Sequence, residues 1–281
     1  SPQPLYNPNM LIYFGAHYLR YKSYPEEMLD ENIASDYGKL LSLVEIDEQY
    51  SLPLFEQLLS TDTLQATLTA QFSFERQWTR DDQISLLYYL GLLTVRGRAL
   101  GGGWSFGIPN FVIKQLYYDF FVAELKRRAV PHLNTFEAAQ STIRALSVKG
   151  DIQPLLGLVS EIIKGLSVRD ARGFNEGNLK AILAALLAAS NVYLVRSEVE
   201  AERQFVDLLC TPMPHVQINY SLALELKYLK QQDAHLLSQK EEEAKKQLES
   251  YLNTKTLQAI PNLLSFAIVF VGASPAAIVR L

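Results

Sequence analysis

The stretch YSLALELKY, residues 220–228, alternates apolar and polar side chains along much of its length. Such a period of two is typical of a β-strand, whose successive side chains point to opposite faces of the sheet. The period puts the leucines and tyrosines on one face and Glu225 and Lys227 on the other. The sequence therefore predicts a strand with a continuous apolar face, and with a carboxylate beside an ammonium on the opposite face.

The elements predicted around this strand set the fold class. Charged and apolar patterning predicts further helices over 135–146, 153–166, 175–189 and 238–252, and strands over 192–198, 204–210, 264–270 and 276–280. Because several connections are as short as hairpins while others contain a helix, we expect mixed strand directions. The C-terminal part is thus predicted to be an α/β domain with a central mixed sheet, within an α+β chain.

The N-terminal part reads as mostly helical, with apolar residues at helical spacing over 10–14, 40–44 and 54–59. Asp81 and Asp82 then open a helix that Gly91 ends, and strands 92–95 and 104–108 flank a glycine-rich tip before a helix that starts at 109–110. This order resembles a winged helix. The basic cluster 126–128, followed by Pro131, is the best candidate for a linker, so we predict domains 1–128 and 129–281.

Composition narrows the classes of function. The 281 residues carry a net charge of −4, so no global positive field indicates a polyanion partner and any nucleic-acid contact must be local. The single cysteine, Cys210, excludes an intramolecular disulfide and a multi-cysteine zinc site, and it fits a cytoplasmic protein. The uncharged runs 181–195 and 263–279 are broken by turn signals, so no membrane span is expected. No feature of the sequence indicates the oligomeric state.

A second carboxylate stands in the preceding strand, where Asp207 lies among apolar neighbours in FVDLL, residues 205–209. Carboxylates on adjacent strands can converge on one divalent cation, and hard oxygen ligands suit Mg²⁺ or Mn²⁺. With Lys227 beside them, the set is complete for hydrolysis of a phosphodiester. Two alternatives stay open: Glu225 and Lys227 as a solvent-exposed ion pair, and Asp207 as a buried residue satisfied by backbone groups. Because like carboxylates repel, we expect Asp207 to be removable without loss of stability.

Asp207 followed by Glu225-Leu226-Lys227 resembles the D…ExK signature of the PD-(D/E)XK nuclease superfamily. The stretches SEVEAERQFVDLL, LALELKYLK and EEEAKKQLESYL resemble the domain of this type found behind an AAA-like ATPase domain in bacterial proteins. LYNPNMLIYF, LLYYLGLLTV and FGIPNFVIKQLYYDFF are similar to the segment that joins ATPase and nuclease there. Because no GxxxxGK[ST] phosphate loop occurs, the resemblance implies an AAA-like ATPase domain elsewhere in the full-length protein.

The resemblance implies a metal-dependent nuclease that uses Mg²⁺ or Mn²⁺ on nucleic acid, with DNA favoured. It implies metal ligands Asp207 and Glu225, the catalytic lysine Lys227, and further site residues Gln247, Glu176 and Glu198. The glycine usual shortly before the aspartate is absent, and ERQF, residues 202–205, stands there. The alternative function is a catalytically silent nuclease-fold interaction module that couples to the ATPase domain.

Several of these residues have simpler interpretations. Glu176 follows Asn175, a good N-cap, so it can act only as a partner of the helix dipole. Gln247 can point toward the site or away from it. The N-terminal unit has two interpretations. Either its arginines contact phosphates, or the unit packs on the ATPase domain instead; these arginines are Arg76, Arg80, Arg96 and Arg98. The aromatic residues of the first helix, which include Tyr13, Phe14, Tyr18 and Tyr21, either dock that ATPase domain or pack within this chain.

Overall fold

The computed structural model describes residues 8–25, 38, 48–72, 77–99, 101–128, 135–166, 173–201, 204–214 and 216–281. The longer helices are α1 (Pro8–Tyr21), α2 (Glu48–Thr61), α3 (Arg80–Tyr89), α4 (Phe111–Arg128), α5 (Thr135–Lys149), α6 (Gln153–Gly165), α7 (Glu176–Ala189) and α8 (Leu237–Leu252). A 3₁₀ helix (Gln231–Leu236) precedes α8 and a short helix (Lys255–Gln258) follows it. The helix expected over 40–44 lies outside the described residues.

Among the described residues, eight strands form two sheets: β1 (Leu64–Ala66), β2 (Thr94–Arg98), β3 (Trp104–Gly107), β4 (Tyr193–Ala201), β5 (Gln204–Pro212), β6 (Ser221–Leu229), β7 (Leu263–Val271) and β8 (Ser274–Arg280). The first three form one sheet in the order β1-β3-β2, and the other five form a second in sequence order. In the five-stranded sheet only β6 and β7 are parallel, because α8 crosses between them, while short turns make the other pairs antiparallel. The prediction of an α+β chain with a mixed sheet is confirmed.

The five-stranded sheet is covered by helices that also position the polar residues. On one face, Ala223 of β6 and Ala267 of β7 pack with Ala244 and Leu248 of α8. On the other face, Tyr228 contacts Phe174, which precedes α7, with ring centroids 5.0 Å apart. Helix α7 packs against β4, β5 and β6. Strand β6 is buried on both faces along nearly its whole length, so the polar side chains of its alternating pattern are covered as well.

The three-stranded sheet lies beside α3, whose first turn is closed by a reciprocal capping box. The Thr79 side chain accepts from the Asp82 backbone N–H, and the Asp82 carboxylate accepts from the Thr79 N–H at 2.9 Å. Gly91 ends this helix with a positive φ of 75°, as predicted from its glycine. Strand β1 was not predicted, because three residues give no periodic signal. The winged-helix assignment of this unit stays a prediction.

The arginines of this unit contact neighbouring groups within it. Arg80 donates to the Gln65 carbonyl at 2.9 Å and Arg96 to the Ile108 carbonyl at 3.0 Å, while Arg98 lies 3.6 Å from the centre of the Trp104 ring. Arg76 lies outside the described residues. These contacts stabilise the hairpin and its neighbours, and both interpretations of the arginines, contact with phosphates and packing on the ATPase domain, stay predictions.

The chain divides into two compact units: Ser1–Leu54 with Thr63–Phe120, and Phe55–Asp62 with Phe121–Leu281. The divisions fall within α2 and α4, and the basic cluster 126–128 forms the end of α4. Residues 129–134, where the linker was expected, lie outside the described residues, so the domain boundary stays a prediction. On α1, Tyr18 and Tyr21 are exposed. Within the described part of the chain, no helix combines the length and apolar character needed to span a membrane.

Candidate active site

A fork between β5 and β6 defines the site. Their antiparallel pairing covers only Leu208–Leu224 through Cys210–Leu222, and beyond it the strands separate at Asp207 and Glu225. Strand β6 remains paired with β7 along its whole length, so the fork opens on the β5 side. Two strands that separate leave backbone donors without ladder partners, which side chains must then satisfy.

Asp207 fills this role at the fork. Its Oδ2 accepts from the backbone N–H of Leu226 at 2.9 Å, and its Oδ1 lies 2.7 Å from the ammonium of Lys180 on α7. Both side chains of the ion pair are buried. Asp207 is therefore satisfied in part by a backbone group, as one of the alternatives anticipated, and in part by a cation that the sequence did not point to.

Glu225 and Lys227 lie on the same side of β6, as the period of two predicted. The Lys227 Nζ donates to Glu225 Oε1 at 2.9 Å and lies 3.8 Å from Glu176 Oε1. The Glu225 side chain is 3% exposed and that of Lys227 10% exposed, so the alternative of a solvent-exposed ion pair is wrong. Neighbouring strands and helices cover both, because β6 is interior to the sheet. The Glu176 side chain, 42% exposed, forms the more open edge of the group.

We refer to Glu176, Lys180, Asp207, Glu225 and Lys227 as the polar cluster. Charges of both signs in such a buried place cost desolvation energy unless they are paired and hydrogen-bonded. The cluster holds three carboxylates and two ammonium groups, which leaves one negative charge in excess when all five are ionised. That excess is suited to a cation ligand.

The electrostatics of the cluster follow from burial and from like charges. Burial, together with repulsion from Asp207, raises the pKa of Glu225 to about 7, although Lys227 acts in the opposite direction. Burial also raises the pKa of Glu176, against the attraction of Lys227. For Lys227, burial alone would lower the pKa, but Glu225 and the other carboxylates raise it above its ordinary value, so this ammonium stays charged. Shifted carboxyl groups beside a fixed cation are typical of functional sites.

Gln247 lies on α8, three residues after Ala244 and four before Tyr251, on the helix face that covers the sheet. Ala223, Glu225 and Lys227 alternate onto the face of β6 that α8 covers, and the role of Gln247 in the site stays a prediction. Its Oε1 is buried without a hydrogen-bond partner among the described residues. Gln247 also lines an open pocket of about 470 Å³ with Phe205, Lys246, Ser250 and Tyr251.

Glu198 lies in β4 between Ser197 and Val199, which pair with Leu208 and Val206 of β5. Its backbone is thus opposite Asp207, near the fork, but its side chain lies outside the described residues. Residues 202 and 203 of the ERQF segment lie outside them too.

Lys180 is the member of the cluster that sequence reasoning missed. It is the one charge in an otherwise apolar helical run, 179–189, and it stands four residues after Glu176, on the same helix face. A lone ammonium in an apolar run signals a buried partner. Its partner was not predictable, because Asp207 lies 27 positions further along the chain.

The donor set fits a hard divalent cation. Glu225 Oε2 is buried with no hydrogen-bond partner among the described residues, next to a second carboxylate in a cluster with excess negative charge. Within the described part of the chain, no group of three or more His, Cys, Asp and Glu side chains is arranged to hold a metal ion. Mg²⁺ is commonly held by one or two carboxylates, with water and substrate phosphates as further ligands, so two carboxylates suffice.

Residues 174–278 match the family described as the PD-(D/E)XK nuclease superfamily. The matched segment contains α7, strands β4 to β7, most of β8, α8 and every member of the polar cluster. Nucleases of this superfamily typically use divalent metal ions. A comparison with curated proteins gave no match.

Proposed function

We propose that this chain is a metal-dependent nuclease that hydrolyses phosphodiester bonds of nucleic acid, with DNA as the favoured substrate and Mg²⁺ or Mn²⁺ as the ion. The observation that carries the proposal is the meeting of Asp207, Glu225 and Lys227 at the fork between β5 and β6. These three residues fill the D…ExK pattern, and they lie in the segment that matches the nuclease superfamily. Buried charges cost desolvation energy, so their retention together favours a site that uses them over a catalytically silent module.

Each residue has a role that follows from its place. Asp207 and Glu225 would hold the ion, which when bound polarises the phosphodiester as a Lewis acid and lowers the pKa of water. Lys227 donates one hydrogen bond to Glu225. Its ammonium can also orient the attacking water or neutralise charge that develops on the phosphate. Glu176 stands at the open edge of the cluster, where it can meet the substrate, and Gln247 offers a buried amide oxygen on the same side of the sheet.

We further propose that the chain works in the cytoplasm beside an AAA-like ATPase domain of the same full-length protein. The N-terminal stretches that resemble the ATPase-to-nuclease segment support this partner, as do exposed aromatic residues on α1. Cys210 is the single cysteine of the chain and is buried, which supports a reducing compartment.

The test is cleavage of labelled single- and double-stranded DNA and RNA in Mg²⁺ or Mn²⁺, for the parent chain and for Lys227→Met and Glu225→Gln. We expect metal-dependent cleavage of DNA that falls by about 10²-fold or more in both variants, as for loss of one electrostatic catalyst. The pair Glu161–Lys164 on α6, 2.8 Å apart and exposed, supplies matched controls. Glu161→Gln and Lys164→Met should cleave like the parent. If the variants match the parent, the cleavage comes from another protein; if the parent binds Mn²⁺ but cleaves none of the four substrates, the interaction module is the better function.

A further inference from the structure

We propose that Lys180 is an internal counter-ion that competes with the divalent ion for Asp207 and so sets the metal affinity of the site. This inference rests on the proposed function, because it takes Asp207 and Glu225 as the metal ligands. It assigns a positioning role to a residue outside the D…ExK pattern.

The geometry of the pair carries the inference. Lys180 Nζ lies 2.7 Å from Asp207 Oδ1, the side chains are 7% and 12% exposed, and the lysine comes from a helix rather than from the strands of the fork. A buried ammonium on an apolar helix is costly unless a carboxylate faces it. The pair is therefore a fixed feature of the fold, unlike a surface ion pair that solvent screens.

The two metal ligands differ because of this pair. At Glu225, Lys227 takes Oε1 and leaves Oε2 with no hydrogen-bond partner among the described residues. At Asp207, Lys180 holds Oδ1 and the Leu226 amide holds Oδ2, so both oxygens are engaged. A divalent ion can approach Glu225 directly, whereas at Asp207 it must share or displace the ammonium, against the repulsion of two positive charges.

A displaced ammonium has a second carboxylate within reach. Glu176 lies one helical turn before Lys180 on α7, and a glutamate four residues ahead of a lysine is the favourable order for such a pair. Because Glu176 is the most exposed member of the polar cluster, it can accept the ammonium without further burial of charge. The cluster therefore keeps every cation paired in both arrangements.

The test is a calorimetric titration of Mn²⁺ into the full chain, at one pH and without nucleic acid, for the parent, Lys180→Met and Lys180→Arg. Lys180→Met removes the charge and keeps the length of the side chain, so we expect Kd for Mn²⁺ to fall at least about tenfold. Lys180→Arg keeps the charge and should leave Kd near that of the parent. Lys164→Met, which removes a lysine from an exposed pair of similar length, should leave Kd unchanged.

Thermal unfolding in EDTA and in Mn²⁺ keeps the test decisive if Lys180→Met folds poorly. We expect this variant to have a lower Tm than the parent in EDTA and a larger gain in Tm on addition of Mn²⁺. The double variant Lys180→Met/Asp207→Asn, which removes both partners, should regain Tm in EDTA and lose the gain with Mn²⁺. Unchanged or weaker Mn²⁺ binding by Lys180→Met overturns the role of Lys180 and leaves the nuclease proposal standing. Absence of Mn²⁺ binding in all variants overturns both.

Discussion

Asp207 and Lys180 form a buried ion pair at 2.7 Å, so removal of the carboxylate takes this contact away from a buried ammonium. Repulsion between the carboxylates alone would make Asp207 removable without loss of stability. The contact with Lys180 makes its removal destabilising instead. We predict that Asp207→Ala lowers the free energy of unfolding by about 3 kcal/mol or more, as is usual when one member of a buried pair is removed. Urea unfolding in EDTA measures the loss.

The second member of the pair supplies the control for this prediction. Adding Lys180→Met to Asp207→Ala should restore a large part of the lost stability, because the buried ammonium that faced Asp207 is removed as well. Equal stability of Asp207→Ala and the parent would show that Lys180 finds another partner at no cost.

Glu225 makes the stability of the protein depend on pH. Its pKa is raised from 4.5 to about 7 in the folded chain, so the folded state binds more protons than the unfolded state between these values. The contribution of Glu225 to stability is therefore complete below about pH 4.5 and is lost as the pH rises through about 7. In EDTA, we predict that the stability of the parent relative to Glu225→Gln falls across this window, on the order of 2–3 kcal/mol. Parallel pH profiles of the two proteins from urea unfolding would contradict this.

At the scale of single residues, the sequence predicted only the contacts that follow from the periodicity of one element. Glu225 and Lys227 share one strand, so their common face followed from alternation alone. Their burial did not, because it depends on β7 and the helices that cover the sheet. Lys180 and Asp207 sit on different elements, and no local pattern joins them.

The start of α7 determines where Glu176 and Lys180 stand. Asn175 caps it: its Oδ1 accepts from the Gly177 N–H at 2.8 Å, and the Asn178 Oδ1 accepts from the Asn175 N–H. We predict that Asn175→Ala lowers the free energy of unfolding by about 1 kcal/mol and weakens Mn²⁺ binding, because the first turn frays. Asn175→Ser retains a capping oxygen and should behave like the parent in both measurements. Loss of stability without any change in Mn²⁺ binding would mean that the cap does not position the cluster.

Among the elements, helices and strands with strong patterns were predicted to within a few residues. The helix expected over 238–252 is Leu237–Leu252, and the strand expected over 264–270 is Leu263–Val271. The fork between β5 and β6 was not predicted, since both strands continue past the point where their pairing stops. Where two strands part is decided by the side chains between them, here Asp207, and not by the propensity of either strand.

The division of the whole chain was the least predictable feature. The segment Phe55–Asp62 is distant in sequence from the larger sheet, yet it belongs to the same compact unit. Phe55, Leu58 and Leu59 in this segment are fully buried. Composition and linker signals mark boundaries along the chain, so they cannot find a unit built from two separate segments.

This division leads to a prediction about truncation. A fragment that begins at residue 129, the predicted domain boundary, lacks both Phe55–Asp62 and residues 121–128, which belong to the larger unit and contain buried apolar side chains. We expect their removal to expose apolar surface. We expect fragment 129–281 to aggregate, or to unfold at a clearly lower temperature than the full chain. The chain 48–281, which retains α2, should stay monodisperse in size-exclusion chromatography with light scattering.

A point variant separates the role of the segment from that of chain length. Leu58→Ala in the full chain should lower the free energy of unfolding by about 2–5 kcal/mol, as for other buried leucines, and should move the transition of the larger unit. Mn²⁺ binding reports that unit in the same samples, since it contains the whole polar cluster. If fragment 129–281 is monodisperse and unfolds with the midpoint of the full chain, Phe55–Asp62 is dispensable. The boundary after residue 128 would then describe the protein better than the division by contacts.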